Sequence, residues 1–142
     1  MAETPDPAPR VLTIEEANSL LPKISPLVRQ IQALHASIVK TSREMDGVIA
    51  KLSAGNGYPI RSLKEQLEGL TKHQLQLIEA YQSAVAQLGE WGVLLKDAEK
   101  GLIDFYGMRD GELIFLCWLL GEERIRFWHT LEGGFAGRQP IA

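Results

Sequence analysis

The side chains suited to acid–base or anion-binding chemistry gather in the C-terminal third of the chain. Asp104, Arg126, His129 and Arg138 form the candidate ligand-binding set. Histidine changes charge near neutral pH, and arginine binds carboxylates and phosphates through paired hydrogen bonds. The predicted strands place Asp104 and Arg126 on one face as a near-diagonal pair. This placement allows either a structural salt bridge or an anion pocket, which Arg138 joins if the tail folds over the sheet.

Cys117, Glu122 and His129 are the residues that suggest a metal site. A hairpin that turns at Gly121 and Glu122 places Cys117 and His129 on opposite faces of the sheet. A tetrahedral site needs its donors to converge within about 2.0–2.3 Å of one ion. The sequence therefore predicts no metal and no cofactor. Cys117 is interpreted as a small apolar filler, and His129 as a strand-end residue bonded to backbone. No nucleotide loop, serine-nucleophile motif, zinc-protease motif or calcium loop occurs.

A three-stranded antiparallel meander between residues 93 and 130 positions these side chains. Residues 101–106 and 112–120 read as strands separated by the turn signal Arg109-Asp110-Gly111, and residues 124–129 alternate as a third strand. The predicted inner face carries Ile103, Phe105, Ile114, Leu116, Trp118, Ile125, Phe127 and His129. The predicted outer face carries Asp104, Tyr106, Leu113, Phe115, Cys117, Arg124, Arg126 and Trp128. Its mixture of apolar and charged residues is typical of an interface.

Two apolar stripes with heptad spacing predict a long antiparallel helical hairpin over residues 25–53 and 60–89. The first stripe is Leu27, Ile31, Leu34, Ile38, Thr41, Met45, Val48 and Leu52. The second is Leu63, Leu67, Leu70, Gln74, Leu77, Tyr81, Ala84 and Leu88. In one fixed register Leu52 faces Leu63 and Thr41 faces Gln74, so an amide and a hydroxyl are expected to share one layer. The fold class is therefore α+β.

The N-terminal segment completes the predicted organisation. Residues 1–11 are proline-rich and read as a disordered lead-in, followed by one domain over residues 12–142. Thr13 and Glu16 form a capping box that starts a short helix over residues 13–21. Pro22 is expected to end this helix, because a proline disfavours helical geometry in the residue before it. Residues 131–142 form a glycine-rich tail.

The tip half of the hairpin is predicted to project as a two-helix arm. Its charge between Lys40 and Lys72 is +2, which leaves −5 for the rest of a chain whose net charge is −3. Fourteen helical residues extend the arm by about 20 Å. A thin arm of this kind is steadied by a second copy or by another partner. The candidate interface residues are Met45, Ile49, Tyr58 and Ile60 on the arm, with Tyr106, Phe115 and Trp128 on the sheet.

Composition narrows the class of protein further. The net charge of −3 argues against a protein that binds nucleic acid over its whole surface. A single cysteine allows no internal disulfide and fits a reducing compartment. The N-terminus lacks the apolar run of a signal peptide, and no window of eighteen apolar residues predicts a membrane span. The expected location is the cytoplasm.

Several short motifs resemble one family of prokaryotic proteins. They are Leu95-Lys96-Asp97, residues 101–105, Leu116-Cys117-Trp118, Gly121-Glu122, Trp128-His129 and Gly134-Phe135 with Gly137-Arg138, together with residues 13–22. The set is similar to the domain of unknown function 2203 over about residues 12–141. The resemblance implies a bacterial or archaeal cytoplasmic protein, supplies no activity, and draws attention to Lys96, Asp97, Asp104, Glu122, His129 and Arg138.

Three functions remain open at this point, and the sequence does not decide whether the protein is an enzyme. The favoured one is a non-enzymatic oligomerisation or protein-interaction module, most simply a homodimer. The first alternative is a small-ligand or anion-binding protein or enzyme that uses Asp104, Arg126, His129 and Arg138. The second is nucleic-acid contact through the basic arm tip, which carries Arg43, Lys51, Arg61 and Lys64.

Overall fold

Two long helices followed by an antiparallel sheet make up the fold in a computed structural model, which describes residues 10–55 and 57–141. Helix α1 spans Ile14–Ala54 and α2 spans Ile60–Glu90. The strands are β1 (Val93–Asp97), β2 (Leu102–Arg109), β3 (Glu112–Leu119), β4 (Phe127–His129) and β5 (Gln139–Pro140). The α+β class with a long helical hairpin is confirmed. Of the predicted lead-in, only Arg10 and Val11 belong to the described residues.

Helix α1 begins at the predicted capping box and continues without a break. Thr13 Oγ1 accepts a hydrogen bond from the Glu16 N–H, and Glu16 Oε1 accepts one from the Thr13 N–H, both at 3.1 Å. The predicted end of a short helix at Pro22 is not observed, because α1 runs through Pro22 and Pro26. Each proline removes one helical hydrogen bond. Leu21, Ile24 and Val28 are nevertheless buried, and their packing holds this segment helical.

The two helices pair along the predicted stripes. Buried stripe residues include Ile31, Thr41 and Val48 on α1 and Leu63, Gln74, Ala84 and Leu88 on α2. The Gln74 amide donates to Ser42 Oγ at 2.8 Å and to the Ile38 carbonyl at 3.0 Å. Gln74 therefore meets α1 at the expected level, but its hydroxyl partner is Ser42 rather than Thr41. A slipped register would leave this buried amide without partners.

The sheet has five strands where the sequence predicted three. They pair in the order β1-β2-β3-β4-β5, each antiparallel to its neighbour. Strands β1 and β5 are the additions, and the short β4 replaces the predicted third strand over residues 124–129. Val11 forms a further bridge to Tyr106, and the Leu12 N–H donates to the Tyr106 carbonyl at 2.9 Å. Chain segments from both ends of the sequence thus extend the central hairpin.

The core lies between one face of the sheet and the lower part of the helical hairpin. This inner face contributes Ile103, Phe105, Ile114, Leu116 and Trp118, all predicted to lie there. Leu21, Ile24, Val28 and Leu88 pack on it from the helices. Among the described residues, no core member lies between Ile31 and Tyr81. We therefore define the arm as residues 39–54 and 60–75.

No helix in the described ranges is both long enough and apolar enough to span a lipid bilayer.

Candidate functional site

The pairing of β3 with β4 decides which side chains meet on the outer face of the sheet. Phe115 pairs with His129, Leu116 with Trp128 and Cys117 with Phe127. Directly paired residues of antiparallel strands point to the same side. His129 therefore lies on the outer face with Cys117, and Trp128 lies on the inner side. The predicted faces of His129, Trp128 and Phe127 are wrong.

The error arises in the loop that follows β3. The expected tight turn at Gly121 would start the next strand at Arg124, but β4 begins at Phe127. Glu122 instead folds back, where its Oε1 accepts from the Leu119 N–H at 2.7 Å and its carbonyl accepts from the Trp118 indole at 2.9 Å. Ile125 enters the core, and its N–H donates to Asn18 Oδ1 at 2.7 Å. A register change of one residue moves every side chain of a strand to the other face.

Asp104, Cys117 and His129 consequently form one buried group, here called the outer-face cluster. They come from β2, β3 and β4 and are 1 %, 0 % and 2 % exposed. A carboxylate oxygen, the thiol sulfur and an imidazole nitrogen lie within 4.8 Å of one another. His129 Nε2 lies 3.0 Å from Asp104 Oδ2. Polar groups buried this deeply are costly unless they are paired.

The hydrogen bonds of His129 determine where its protons lie. Its Nδ1 is 2.7 Å from the Thr130 carbonyl, which can only accept, so Nδ1 carries a hydrogen. Nε2 then faces the carboxylate, and a bond there requires one further proton between Nε2 and Oδ2. Among the described residues, the second carboxylate oxygen of Asp104, Oδ1, has no hydrogen-bond partner. One proton thus lies between the imidazole of His129 and the carboxylate of Asp104, and Asp104 Oδ1 is left as a buried acceptor without a donor among the described residues.

The Cys117 thiol is kept protonated by its surroundings. Burial, and then the nearby Asp104 carboxylate, raise its pKa from 9.0 to about 12. Only the thiolate is a strong nucleophile. Nucleophilic catalysis needs an exposed cysteine with a lowered pKa. The surroundings of Cys117 therefore do not support that role.

We predict that the protein, kept in a chelating buffer, loses stability above pH 9 through Cys117. The folded state keeps its thiol proton up to about pH 12 while the unfolded state loses it near pH 9. The stabilisation is therefore complete below pH 9 and declines as the pH rises. Relative to Cys117→Ser, the free energy of unfolding should fall by about 1 kcal/mol between pH 9 and pH 10. Urea unfolding of both proteins at the two pH values measures this, and parallel pH profiles would refute it.

The C-terminal tail folds over the outer face, as the sequence allowed. Arg138 binds both carboxylate oxygens of Glu122, at 2.6 and 2.8 Å. Its guanidinium carbon also lies 4.0 Å from the ring centroid of Phe127 and 4.8 Å from that of Phe135. The charges of Arg138 and Glu122 both act on the Cys117 thiol. This ion pair therefore lies beside the outer-face cluster.

Of the other predicted site residues, Phe115 lies against the outer-face cluster and Arg126 does not. Arg126 is separate from Asp104, because its exposed guanidinium pairs with Glu123 at 3.5 Å. Phe115 is buried between Tyr106 and His129, with ring centroids 4.9 and 5.4 Å away, and the ammonium group of Lys96 lies 4.5 Å from its ring. The sequence thus placed Asp104 and Cys117 on one face but assigned His129 to the other, and the structure brings all three together.

These features define an α+β protein in which a helical hairpin packs on one face of a five-stranded sheet, with a buried polar cluster on the other face. The chain belongs to the uncharacterised conserved protein family DUF2203, whose model matches residues 10–141. The resemblance inferred from the short motifs is therefore confirmed. No curated protein and no solved structure gives a significant match.

Proposed function

We propose that the protein is a non-enzymatic interaction module that forms a homodimer through its arm. The supporting observation is the exposure of large apolar side chains at the arm tip. Ile49, Tyr58 and Ile60 are 45 %, 46 % and 55 % exposed. Exposed large apolar residues in one part of a protein are typical of interaction surfaces, and a two-helix arm outside the core gains stability from additional helices.

The proposed dimer is a four-helix arrangement of two antiparallel arms with coiled-coil packing. The inner end of the arm also exposes apolar side chains, since Val39 is 37 % and Leu75 is 58 % exposed. An antiparallel pair brings the tip of each arm opposite the inner end of the other. It also brings the net positive arm of one copy towards the acidic remainder of its partner. We further propose, from the family resemblance, that the protein is prokaryotic and cytoplasmic.

The mass of the native protein tests this proposal. Sedimentation or light scattering should give twice the chain mass of 15.8 kDa. Ile60→Glu should convert the dimer to a monomer, because it places a carboxylate in the apolar contact at the tip. Leu131→Glu is the matched control, since Leu131 is similarly exposed at 46 % but lies in the tail. A wild-type protein that stays monomeric at every concentration tested would refute the proposal.

Nucleic-acid binding at the arm tip is the alternative function that a binding experiment can distinguish from dimerisation. Arg43, Lys51, Arg61 and Lys64 are exposed there, but the arm carries a net charge of only +2. A salt-dependent gel shift by the wild-type protein that is lost on Arg61→Glu would favour this function over dimerisation.

A further inference from the structure

The outer-face cluster has the composition and geometry of a metal-ligand set. We propose that Asp104, Cys117 and His129 bind a divalent transition-metal ion, and that Zn²⁺ is the ion their donors fit best. Carboxylate oxygen, thiolate sulfur and imidazole nitrogen are the three donor types that proteins use for zinc. Here one of each, from three adjacent strands, lies within 4.8 Å of the other two. Three hydrogen-bonded strands bring these donors close to one another.

The orientation of His129 favours metal binding. Its Nδ1–H donates to the Thr130 carbonyl at 2.7 Å, which directs Nε2 into the cluster. Metal-ligating histidines characteristically donate their other ring N–H to a carbonyl or carboxylate in this way. The backbone after β4 therefore fixes the tautomer that a metal ligand needs.

The unused acceptor of Asp104 points to a ligand at the same place. Its Oδ1 is buried and has no hydrogen-bond partner among the residues described, while Oδ2 lies 3.0 Å from Nε2. Two donors of one tetrahedral zinc ion are separated by about 3.3 Å, given metal–ligand lengths of about 2.0–2.1 Å. A shift of a few tenths of an ångström would therefore make room for the ion between the carboxylate and the imidazole.

The charge balance is suitable for a buried site. A carboxylate and a thiolate neutralise a divalent cation, so the loaded cluster has no net charge to desolvate. Binding displaces the proton between His129 and Asp104 and releases the thiol proton of Cys117 to solvent. The three protein ligands leave the fourth tetrahedral position to a water molecule or a small anion. The neighbouring Glu122–Arg138 ion pair keeps its own charges balanced.

Cobalt(II) titration of the full-length protein tests the proposal. After treatment with a chelator, the wild-type protein should bind one Co²⁺ per chain and show thiolate-to-cobalt charge-transfer absorption together with the visible bands of a tetrahedral ion. Zn²⁺ should abolish this spectrum and raise the melting temperature of the chelated protein. Absence of the absorption in folded wild-type protein would overturn the proposal, whatever the variants do.

Ligand variants then assign the donors. Cys117→Ser should abolish the charge-transfer absorption, and Asp104→Asn should weaken Zn²⁺ binding by at least the roughly 10- to 100-fold lost when a ligand's supporting partner is removed. His73→Ala is the control, because His73 is exposed on α2 and lies outside the cluster; its spectrum should equal that of the wild type. Circular dichroism confirms that each variant is folded. Retention of the wild-type spectrum by folded Cys117→Ser would refute the assignment.

Discussion

Replacing His129 with leucine is expected to lower the free energy of unfolding of the metal-free protein by about 3–5 kcal/mol. The Asp104 carboxyl is 1 % exposed, and His129 Nε2, at 3.0 Å, is the hydrogen-bond partner of its Oδ2. Without the imidazole, Asp104 must either hold an unpaired buried charge or take up a proton. The large cost thus comes from the partner that is left behind.

A double variant separates this cost from the loss of packing. Asp104→Leu combined with His129→Leu removes both polar groups, and replacing a buried pair by apolar residues is often neutral or stabilising. We expect the double variant to be more stable than His129→Leu alone, although it still leaves the Thr130 carbonyl without its donor. Arg126→Ala breaks the exposed pair with Glu123 and should change stability by less than about 1 kcal/mol.

Urea unfolding in the presence of a chelator measures the wild type, the three variants named above and Asp104→Leu alone, which completes the cycle. The decisive comparison is between the double leucine variant and the sum of its two single variants, because the difference gives the interaction energy of Asp104 with His129. If the double variant is destabilised by the sum of two independent losses, Asp104 and His129 are not coupled, and the assigned proton-sharing pair is wrong.

The helical hairpin could be predicted from sequence because its determinants are local and periodic. Two heptad stripes fix which side of each helix is apolar, and Gln74 fixes the level at which they meet. The continuity of α1 could not be predicted in the same way. Pro22 and Pro26 disfavour a helix locally, whereas the burial of Ile24 and Val28 against a sheet some eighty residues later favours it. Tertiary packing outweighs a backbone preference of about 3 kcal/mol per proline.

The outer-face cluster could be predicted only in part, because strand register is a non-local property. The alternation of β2 and β3 correctly grouped Asp104 with Cys117, which are direct cross-strand partners. The face of His129 depended on the number of residues in the preceding loop. Ile125 enters the core, as the sequence predicted, and its N–H donates to Asn18 Oδ1. The regular alternation then fails between Ile125 and Phe127, because β4 begins only at Phe127, and His129 lies beside Cys117 instead of on the face of Ile125.

Gly101→Ala is the second substitution with a large expected effect, because Gly101 lies where α1 meets the sheet. Its φ of 73° is unfavourable for alanine by about 1–2 kcal/mol. An added Cβ would also lie 2.7 Å from Leu120 Cβ and 3.3 Å from Val28 Cγ1. Crowding of this kind costs about 1–3 kcal/mol. We expect the free energy of unfolding to fall by about 3 kcal/mol in total.

Gly111→Ala is the matched control for this prediction. Gly111 has a similar φ of 78°, but a Cβ there would meet no atom within 4 Å among the described residues. It should therefore cost only the backbone part, about 1–2 kcal/mol. The difference between the two variants in urea unfolding isolates the contact of the β1–β2 turn with Val28 and Leu120. Equal losses would show that the turn does not pack tightly on α1. The sheet would then lack its support on the helical hairpin at this point, and the positions of Asp104 and Cys117 on β2 and β3 would be less firmly fixed than the structure indicates.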